Sequence, residues 1–204
     1  MSQTATRIIL ASGSQSRRQL LAGAGVAFDV VAADVDERAL RDAAMAADRD
    51  LTAPAVALLL AQAKAEYVAA RHPRRVVVGC DQMLALGTAL YEKPRDMTEA
   101  RTHLLAMRGQ THQLHGGIVA IVPGEPVWRH SETAQMTMRP FTPQFLDHYL
   151  AQAGPQICQS VGAYQLEGLG IQLFERIEGD YFSILGLPLL PLLTHLRALR
   201  VLTE

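Results

Sequence analysis

The sequence predicts an α/β protein, because short apolar runs alternate with helical patterns along the chain. The clearest strand lies at the start of the stretch from Val76 to Gly87 (VVVGCDQMLALG), where a short apolar run of three β-branched residues leaves no polar face, so we expect burial on both sides. Another strand, Arg7 to Ser12, enters a helix through a Gly/Ser turn. A long helix with an apolar face begins at Pro54. Since no linker or repeat divides the 204 residues, we predict a single domain over 1–204.

Further elements are predicted by turn and capping residues. They are a strand at Phe28 to Val31, a helix from the Asp96–Thr98 cap to Gly109, a hairpin of residues 110–122 and 127–138, a helix capped by Thr142, and a last helix with Pro188 near its start. Residues 38–50 are polar and alanine-rich, and no regular element is predicted there.

Composition narrows the class of protein. Apolar residues make up 49% and charged residues 19%, as in ordinary globular proteins. A net charge of -1 argues against a general nucleic-acid or membrane-surface binder. We see neither a signal peptide nor an apolar run of membrane-spanning length. Cys80 and Cys158 form no C-x-x-C pair, which suggests a reducing compartment, so the predicted location is the cytoplasm.

Asp81 is the first candidate functional residue. It follows the apolar run of the predicted buried strand and is expected at the end of that strand. Burying a carboxylate is costly unless a cation, a metal ion or hydrogen-bond donors meet it. The alternative is a strand that ends at a solvated, turn-forming aspartate.

The start of the first helix is a candidate anion site. Ser14 or Ser16 is the expected N-cap, and Arg17 and Arg18 lie in the first turn. Cations there oppose the helix dipole, so they suit a bound anion better than helix stability. No G-K-[ST] follows the glycine, which excludes a P-loop. The alternative is a surface helix that begins with two arginines.

Other polar residues have competing interpretations. Asp34, Asp36 and Glu37 follow a predicted strand and form either a solvated loop or part of a Mg²⁺ or Mn²⁺ site. Lys64 lies in the long helix, where its side chain could also extend to solvent. His112 and His115 are three residues apart, which on a strand places them on opposite faces and excludes a metal pair.

Four segments together resemble one known family. They are LASGSQSRRQLL, DVDE, VVVGCDQ with KPRDMTEARTHLLAMRGQTH, and GAYQLEGLGIQLFERIEGDYFSILGLPLLPLL. In this order they are similar to the Maf family of nucleoside triphosphate pyrophosphatases, and they extend over almost the whole chain. The resemblance implies hydrolysis of a nucleoside triphosphate to the monophosphate and pyrophosphate, with Mg²⁺ or Mn²⁺. It also implies an elongated, Maf/ITPase-like α/β chain with a twisted mixed β-sheet flanked by helices, two lobes around a central cleft, and allows a homodimer.

The resemblance also assigns roles to residues. Asp81 is implied as the general base and Glu37 as a further acidic residue, and these two carboxylates are the expected metal ligands. The implied triphosphate contacts are Ser14, Arg17, Lys64 and Lys93.

Three further positions are implied to select the nucleobase, namely Ser16, Gln82 and Glu167. Gln82 and Glu167 resemble the branch that acts on 7-methyl-GTP. A carboxylate can accept hydrogen bonds from both donors on the Watson–Crick edge of guanine, whereas thymine and uracil present only one N–H there.

The chain departs from the family at Gln15, where proline is usual, and at Ser16, where arginine or tryptophan is usual. These departures bear on the substrate more than on the reaction.

Three alternatives remain at this stage. One is a dTTP/UTP pyrophosphatase of the same family, and another is a nucleotide-binding regulator of cell division without significant turnover. The third is a phosphatase of the haloacid dehalogenase type, which also places an aspartate after a strand. That chemistry needs a second aspartate two residues on, where this chain has Met83.

Overall fold

The computed structural model describes residues 7–202. The strands are β1 (Ile8–Leu10), β2 (Phe28–Val30), β3 (Val77–Leu86), β4 (Ala89–Tyr91), β5 (Thr111–Ile121), β6 (Trp128–Met138) and β7 (Phe174–Glu178). The α-helices are α1 (Gln15–Gly23), α2 (Glu37–Ala47), α3 (Ala53–Ala69), α4 (Met97–Met107), α5 (Pro143–Ala153), α6 (Tyr181–Ile184) and α7 (Leu189–Ala198). Two 3-10 helices cover Pro155–Gln159 and Leu169–Leu173.

The strands of this described range form a mixed sheet, which confirms the predicted α/β class. They pair in the order β2-β1-β3-β5-β6-β7, and β4 pairs with β3 outside this path. β1 is parallel to β2 and β3, whereas β3 with β4 and β6 with β7 are antiparallel. By its contacts the chain divides into two compact units, of which the first comprises residues 7–81, 116–132 and 180–202 and the second residues 82–115 and 133–179.

The first unit has an apolar cluster on each face of its strands. Ile8 and Leu10 pack into one cluster with residues of α1 and α7. Ile9 and Val77 pack into the other cluster with residues of α3. Because successive strand residues point to opposite faces, this alternation means that both faces are covered. Burial of the Val76 strand on both sides is therefore confirmed.

Two glycines bring α3 into backbone contact with the strands. A Cβ on Gly79 of β3 would lie 2.2 Å from the carbonyl oxygen of Ala61 and 2.8 Å from the nitrogen of Ala65. A Cβ on Gly117 of β5 would lie 2.6 Å from the carbonyl carbon of Ala57. Only glycine allows this approach, so α3 lies closer to the strands than side chains would permit.

The second unit is built around α4 and α5, which pack against each other. Asp96 caps α4 by accepting a hydrogen bond from the backbone nitrogen of Glu99 at 2.9 Å. Thr142 caps α5 in the same way through the nitrogen of Phe145 at 3.1 Å. Both predicted caps are confirmed, and the predicted hairpin strands are neighbours as β5 and β6.

Two local predictions were wrong. β3 continues to Leu86, so Asp81 lies in the middle of the strand and not at its end. The segment for which no element was predicted forms α2, whose N-cap Asp36 accepts a hydrogen bond from the nitrogen of Ala39 at 2.9 Å. No residue of α2 is fully buried, although Leu40 and Ala44 are partly buried and the helix contacts α3. None of the helices within residues 7–202 is both long enough and apolar enough to cross a membrane.

Candidate active site

Asp81 lies on β3 beyond the point at which the neighbouring strand β1 ends. β1 pairs with β3 only as far as Leu10, which lies opposite Val78, and the chain then turns into α1. Val77, Gly79 and Asp81 share one face of β3 by the two-residue period, and this is the face that α3 covers. The carboxylate is therefore directed toward α3, and the residue is only 6% exposed.

Lys64 of α3 meets this carboxylate. Its Nζ lies 2.6 Å from Oδ1 of Asp81 and 2.9 Å from Oε1 of Glu37. The alternative that Lys64 extends to solvent is wrong, since the residue is 8% exposed. The close approach at Gly79 accounts for the pair, because Ala61 and Ala65 touch that glycine on either side of Lys64 in the helix.

The surroundings of Asp81 act on its acidity in opposite directions. Burial raises the pKa of Asp81 above 3.8, because it removes water from the charged form. The charges of Lys64 and Arg17 act to lower this pKa, and the charge of Glu37 acts to raise it. Hydrogen bonds from residues 7–202 to this side chain end on Oδ1, which leaves Oδ2 as an acceptor.

Glu37 approaches Lys64 from the first turn of α2, and about half of its side chain is exposed. In the described part of the chain, no three or more His, Cys, Asp or Glu side chains come together as a metal site. Magnesium is, however, often held by one or two carboxylates together with substrate phosphates. The pair of Asp81 and Glu37 fits that mode of binding and does not fit a site formed by the protein alone.

Arg17 is buried and held by three acceptors. Its Nε donates to the carbonyl oxygen of Gly186 at 2.7 Å, and its Nη1 donates to Oγ of Ser12 at 2.9 Å and to the carbonyl oxygen of Cys80 at 2.8 Å. Nη2 makes no hydrogen bond to a residue within 7–202. The guanidinium therefore fixes the chain next to Asp81 and retains one nitrogen for a ligand.

The start of α1 follows the predicted pattern. Ser14 is the N-cap, and its Oγ accepts a hydrogen bond from the nitrogen of Arg17 at 3.4 Å. Ser16 lies in the first turn and is partly buried. Arg18 is exposed and donates to the carbonyl oxygen of Gly13 at 3.2 Å. This helix end thus combines polar backbone and hydroxyl groups with an exposed cation.

Cys80 is excluded as a nucleophile. It precedes Asp81 on β3 and packs in the apolar cluster on the opposite face of the strand. Burial raises the pKa of Cys80 to about 11, so the thiol stays protonated at neutral pH.

Three predicted residues belong to the second unit. Gln82 lies on β3, Lys93 lies between β4 and α4, and Glu167 is exposed in a turn closed by the nitrogen of Gly168 and the carbonyl oxygen of Gln165 at 3.2 Å. Their predicted roles are not tested by these positions and stay predictions.

The chain before Glu167 is tightly held. Tyr149 donates its hydroxyl to the carbonyl oxygen of Ala163 at 3.2 Å, and Nε2 of His112 lies 2.8 Å from the hydroxyl of Tyr164. Ala163 adopts a positive φ of 56°. Burial lowers the pKa of His112 to about 4, so this ring is neutral. His115 has a different partner, Thr133, as expected for histidines on opposite strand faces.

Three residues that shape this site had no predicted role. They are Ser12, Gly79 and Gly186. Gly79 carried a signal, since a glycine inside a strand often marks a close backbone approach. The contacts of Ser12 and Gly186 with Arg17 depend on the tertiary fold, and Gly186 is 169 residues away in sequence.

Comparison with known proteins identifies the family. The model of the Maf-like protein family matches residues 7–199, which is nearly the whole chain. The chain belongs to the Maf family. The four segments of the resemblance were therefore sufficient to recognise the family. In this Maf protein Arg17 and Asp81 lie within these segments, and Lys64 lies between two of them.

Named relatives cover almost the same length. A protein of Rhizobium meliloti named 7-methyl-GTP pyrophosphatase is 55% identical over 193 residues, 94% of this chain and 96% of its own. A protein of Paramagnetospirillum magneticum named nucleoside triphosphate pyrophosphatase is 52% identical over 190 residues, 93% of this chain and 96% of its own. A solved nucleoside-triphosphatase, a dITP/XTP pyrophosphatase from Mycobacterium abscessus, is 12% identical, with a TM-score of 0.40 over 67% of this chain and 76% of its own. A score of that size supports no argument about this Maf protein.

Proposed function

We propose that the protein is a nucleoside triphosphate pyrophosphatase. A water oxygen attacks the α-phosphorus, the bond from that phosphorus to the bridging oxygen breaks, and the products are the nucleoside monophosphate and pyrophosphate. The observation that carries the proposal is the buried carboxylate of Asp81, held by Lys64 and next to the Arg17 contacts. The names of the relatives support the same reaction.

Asp81 is the proposed general base. Oδ1 is occupied by Lys64, so Oδ2 accepts the proton of the attacking water. A general base works best when its pKa lies close to the working pH, and burial raises the pKa of Asp81 in that direction. The charge of Lys64 favours the ionised form of the carboxylate, and the hydrogen bond from Lys64 fixes its direction, which favours a single orientation for the attacking water.

The proposed triphosphate contacts come from cations with a free donor. Lys64 has three N–H donors, of which the carboxylates of Asp81 and Glu37 take two. Nη2 of Arg17 and the exposed side chain of Arg18 supply two further donors. Positive groups fixed around a triphosphate stabilise the charge that develops on its oxygens as the bond breaks.

Asp81 and Glu37 are the residues that would hold a divalent ion. Two carboxylates without nitrogen or sulfur ligands suit Mg²⁺ or Mn²⁺ better than zinc. Such an ion would polarise the phosphoryl oxygens and neutralise part of their charge. Lys64 pairs with both carboxylates and offsets one of their two negative charges.

The proposed substrate is 7-methyl-GTP. This choice follows the name of the relative that is 55% identical. It also rests on Glu167, because a carboxylate can accept hydrogen bonds from both donors on the Watson–Crick edge of guanine. Methylation at N7 adds positive charge to the ring, which a carboxylate also favours. Ser14 and Lys93 remain proposed triphosphate contacts, and Ser16 and Gln82 remain proposed base-selecting residues.

The direct experiment measures pyrophosphate release from a panel of 7-methyl-GTP, GTP, dTTP and UTP with Mg²⁺ or Mn²⁺. We expect turnover with 7-methyl-GTP as the preferred substrate. Asp81→Asn should lower kcat, corrected for the folded fraction, by about 10²–10⁴, because an amide cannot take the proton. A wild-type protein that binds these nucleotides without releasing pyrophosphate would instead be a nucleotide-binding regulator.

A further inference from the structure

Gly186 has a backbone conformation and a position in which any side chain would be strained. Its φ is +97°, in the region that favours glycine. A Cβ built there would lie 3.2 Å from Nε and 3.5 Å from Nη2 of Arg17. Its carbonyl oxygen accepts the hydrogen bond from Nε at 2.7 Å. Gly186 therefore fixes the position of the guanidinium in two ways. Its carbonyl oxygen accepts a hydrogen bond from Nε, and it has no side chain that would displace the group.

The turn that contains Gly186 is itself fixed at its other end. The carboxylate of Asp180 caps α6 by accepting from the nitrogen of Ser183 at 2.8 Å. The hydroxyl of Ser183 lies between that carboxylate, at 2.9 Å, and the carboxylate of Glu132 on β6. The nitrogen of Gly186 then donates to the carbonyl oxygen of Ser183 at 3.0 Å. Hydrogen bonds, joined to one another through Ser183 and Gly186, thus connect Glu132 of β6 to Arg17.

Glu132 is held in turn by a further residue of β6. Nε2 of His130 lies 2.9 Å from Oε1 of Glu132, so both oxygens of this carboxylate have a partner. Ser183 is only 5% exposed. A buried hydroxyl and a carboxylate with both oxygens engaged form a rigid support and not a ligand site.

We propose that Gly186 and Ser183 are positioning residues for Arg17, and that through Arg17 they set the rate of the proposed hydrolysis. This inference rests on the proposed function for its kinetic consequence. The path runs from Glu132 through Ser183 and Gly186 to the guanidinium. From there it reaches the carbonyl oxygen of Cys80, which belongs to the peptide group that joins Cys80 to Asp81.

The test compares two glycines with similar backbone strain. Gly186→Ala places a methyl group against Arg17, whereas Gly124→Ala, at a φ of +84°, meets nothing within 4 Å. We expect Gly186→Ala to lower kcat, corrected for the folded fraction, about tenfold to a hundredfold, the effect of a small misplacement in an active site. Gly124→Ala should lower stability only.

A double-mutant cycle separates positioning from general damage. Arg17→Lys keeps the charge but loses the branched set of hydrogen bonds. If Gly186 acts through Arg17, Gly186→Ala should change kcat less than about twofold in the Arg17→Lys protein. The same loss in both backgrounds would overturn the proposal. Ser183→Ala introduces no steric conflict and should give a smaller loss of kcat that also disappears with Arg17→Lys.

A readout without turnover distinguishes this proposal from the proposed function. The Nε–H of Arg17 should exchange slowly with solvent in nitrogen-15 NMR spectra, since it is buried and bonded to Gly186, and Arg17→Lys assigns the signal. We expect faster exchange in Gly186→Ala and Ser183→Ala and unchanged exchange in Gly124→Ala. Unchanged exchange in all three variants would overturn the positioning role even if the wild-type enzyme is active. Faster exchange in a protein that releases no pyrophosphate would support the contact between Gly186 and Arg17 but contradict its catalytic consequence.

Discussion

Nζ of Lys64 lies 2.6 Å from Oδ1 of Asp81, and both residues are more than nine-tenths buried. A buried ion pair of this kind adds little net stability, yet removal of one partner is costly because the other charge is left without compensation. Lys64 and Asp81 therefore depend on each other for the fold as well as for the proposed chemistry.

The first prediction concerns stability. Lys64→Met should lower the free energy of unfolding by about 3–5 kcal/mol, because it leaves the carboxylate of Asp81 buried without its cation. Arg101→Met is the matched control, since its pair with Asp147 at 2.7 Å is well exposed and should contribute less than about 1 kcal/mol. Urea denaturation measures both. Equal losses in the two variants would mean that the Lys64 pair is not buried in solution.

The second prediction concerns pH and His112. Burial lowers its pKa from 6.5 to about 4, so the folded state binds the proton less well than the unfolded state. The stability that this provides is fully present above pH 6.5 and is lost as the pH falls toward 4, to a total of about 3 kcal/mol.

His112→Gln removes the titrating group and can still form a hydrogen bond with Tyr164. Between pH 7.5 and 4.5, wild type should therefore lose about 2–3 kcal/mol more than this variant. His148→Gln, at an exposed histidine, should behave as wild type. Parallel pH profiles for wild type and His112→Gln would show that His112 keeps an ordinary pKa.

The third prediction concerns the divalent ion. Since Asp81 and Glu37 share Lys64 and no larger metal cluster occurs in the described residues, Mg²⁺ alone should bind weakly. Titration calorimetry should detect little heat with Mg²⁺ alone and clear binding when Mg²⁺ is added with a nonhydrolysable triphosphate. Chelation should abolish turnover, and Mg²⁺ or Mn²⁺ should restore it. Full activity in chelator would contradict this prediction, because the arginine and lysine side chains would then be the only source of positive charge at the triphosphate.

The fourth prediction concerns the choice of base. Glu167→Gln should reduce the preference for 7-methyl-GTP over UTP by about 1–3 kcal/mol, because the amide cannot accept both donors of the guanine edge. Glu175→Gln, at an exposed glutamate of β7, is the control for a lost charge. The ratio of kcat/KM for the two nucleotides is the measurement. An unchanged ratio in Glu167→Gln would exclude this residue from base recognition.

Local signals in the sequence predicted much of the fold. The alternation of strand and helix patterns and the caps at Asp96 and Thr142 depend on neighbouring residues and are present as predicted. Of the two predicted candidates for the N-cap of α1, Ser14 and Ser16, the structure has Ser14. The helix α2 was missed because the many polar residues of the segment were given more weight than its alanine content and the N-cap Asp36, which favour a helix.

The arrangement of the candidate site was harder to predict, because it depends on which elements pack together. Gly79 is visible in the sequence, but nothing local indicates that α3 crosses it and brings Lys64 to Asp81. Arg17 was expected to face an anion, whereas the structure gives most of its donors to protein oxygens. Two of these oxygens, those of Gly186 and Cys80, come from residues far away in the chain.

Water should attack the α-phosphorus, and isotope labelling shows which phosphorus receives the oxygen of water. The wild-type protein is given 7-methyl-GTP in water enriched with oxygen-18, and the products are analysed by mass spectrometry. We predict one labelled oxygen in 7-methyl-GMP and none in the released pyrophosphate. Label in pyrophosphate or orthophosphate, or a diphosphate as the nucleotide product, would contradict the account.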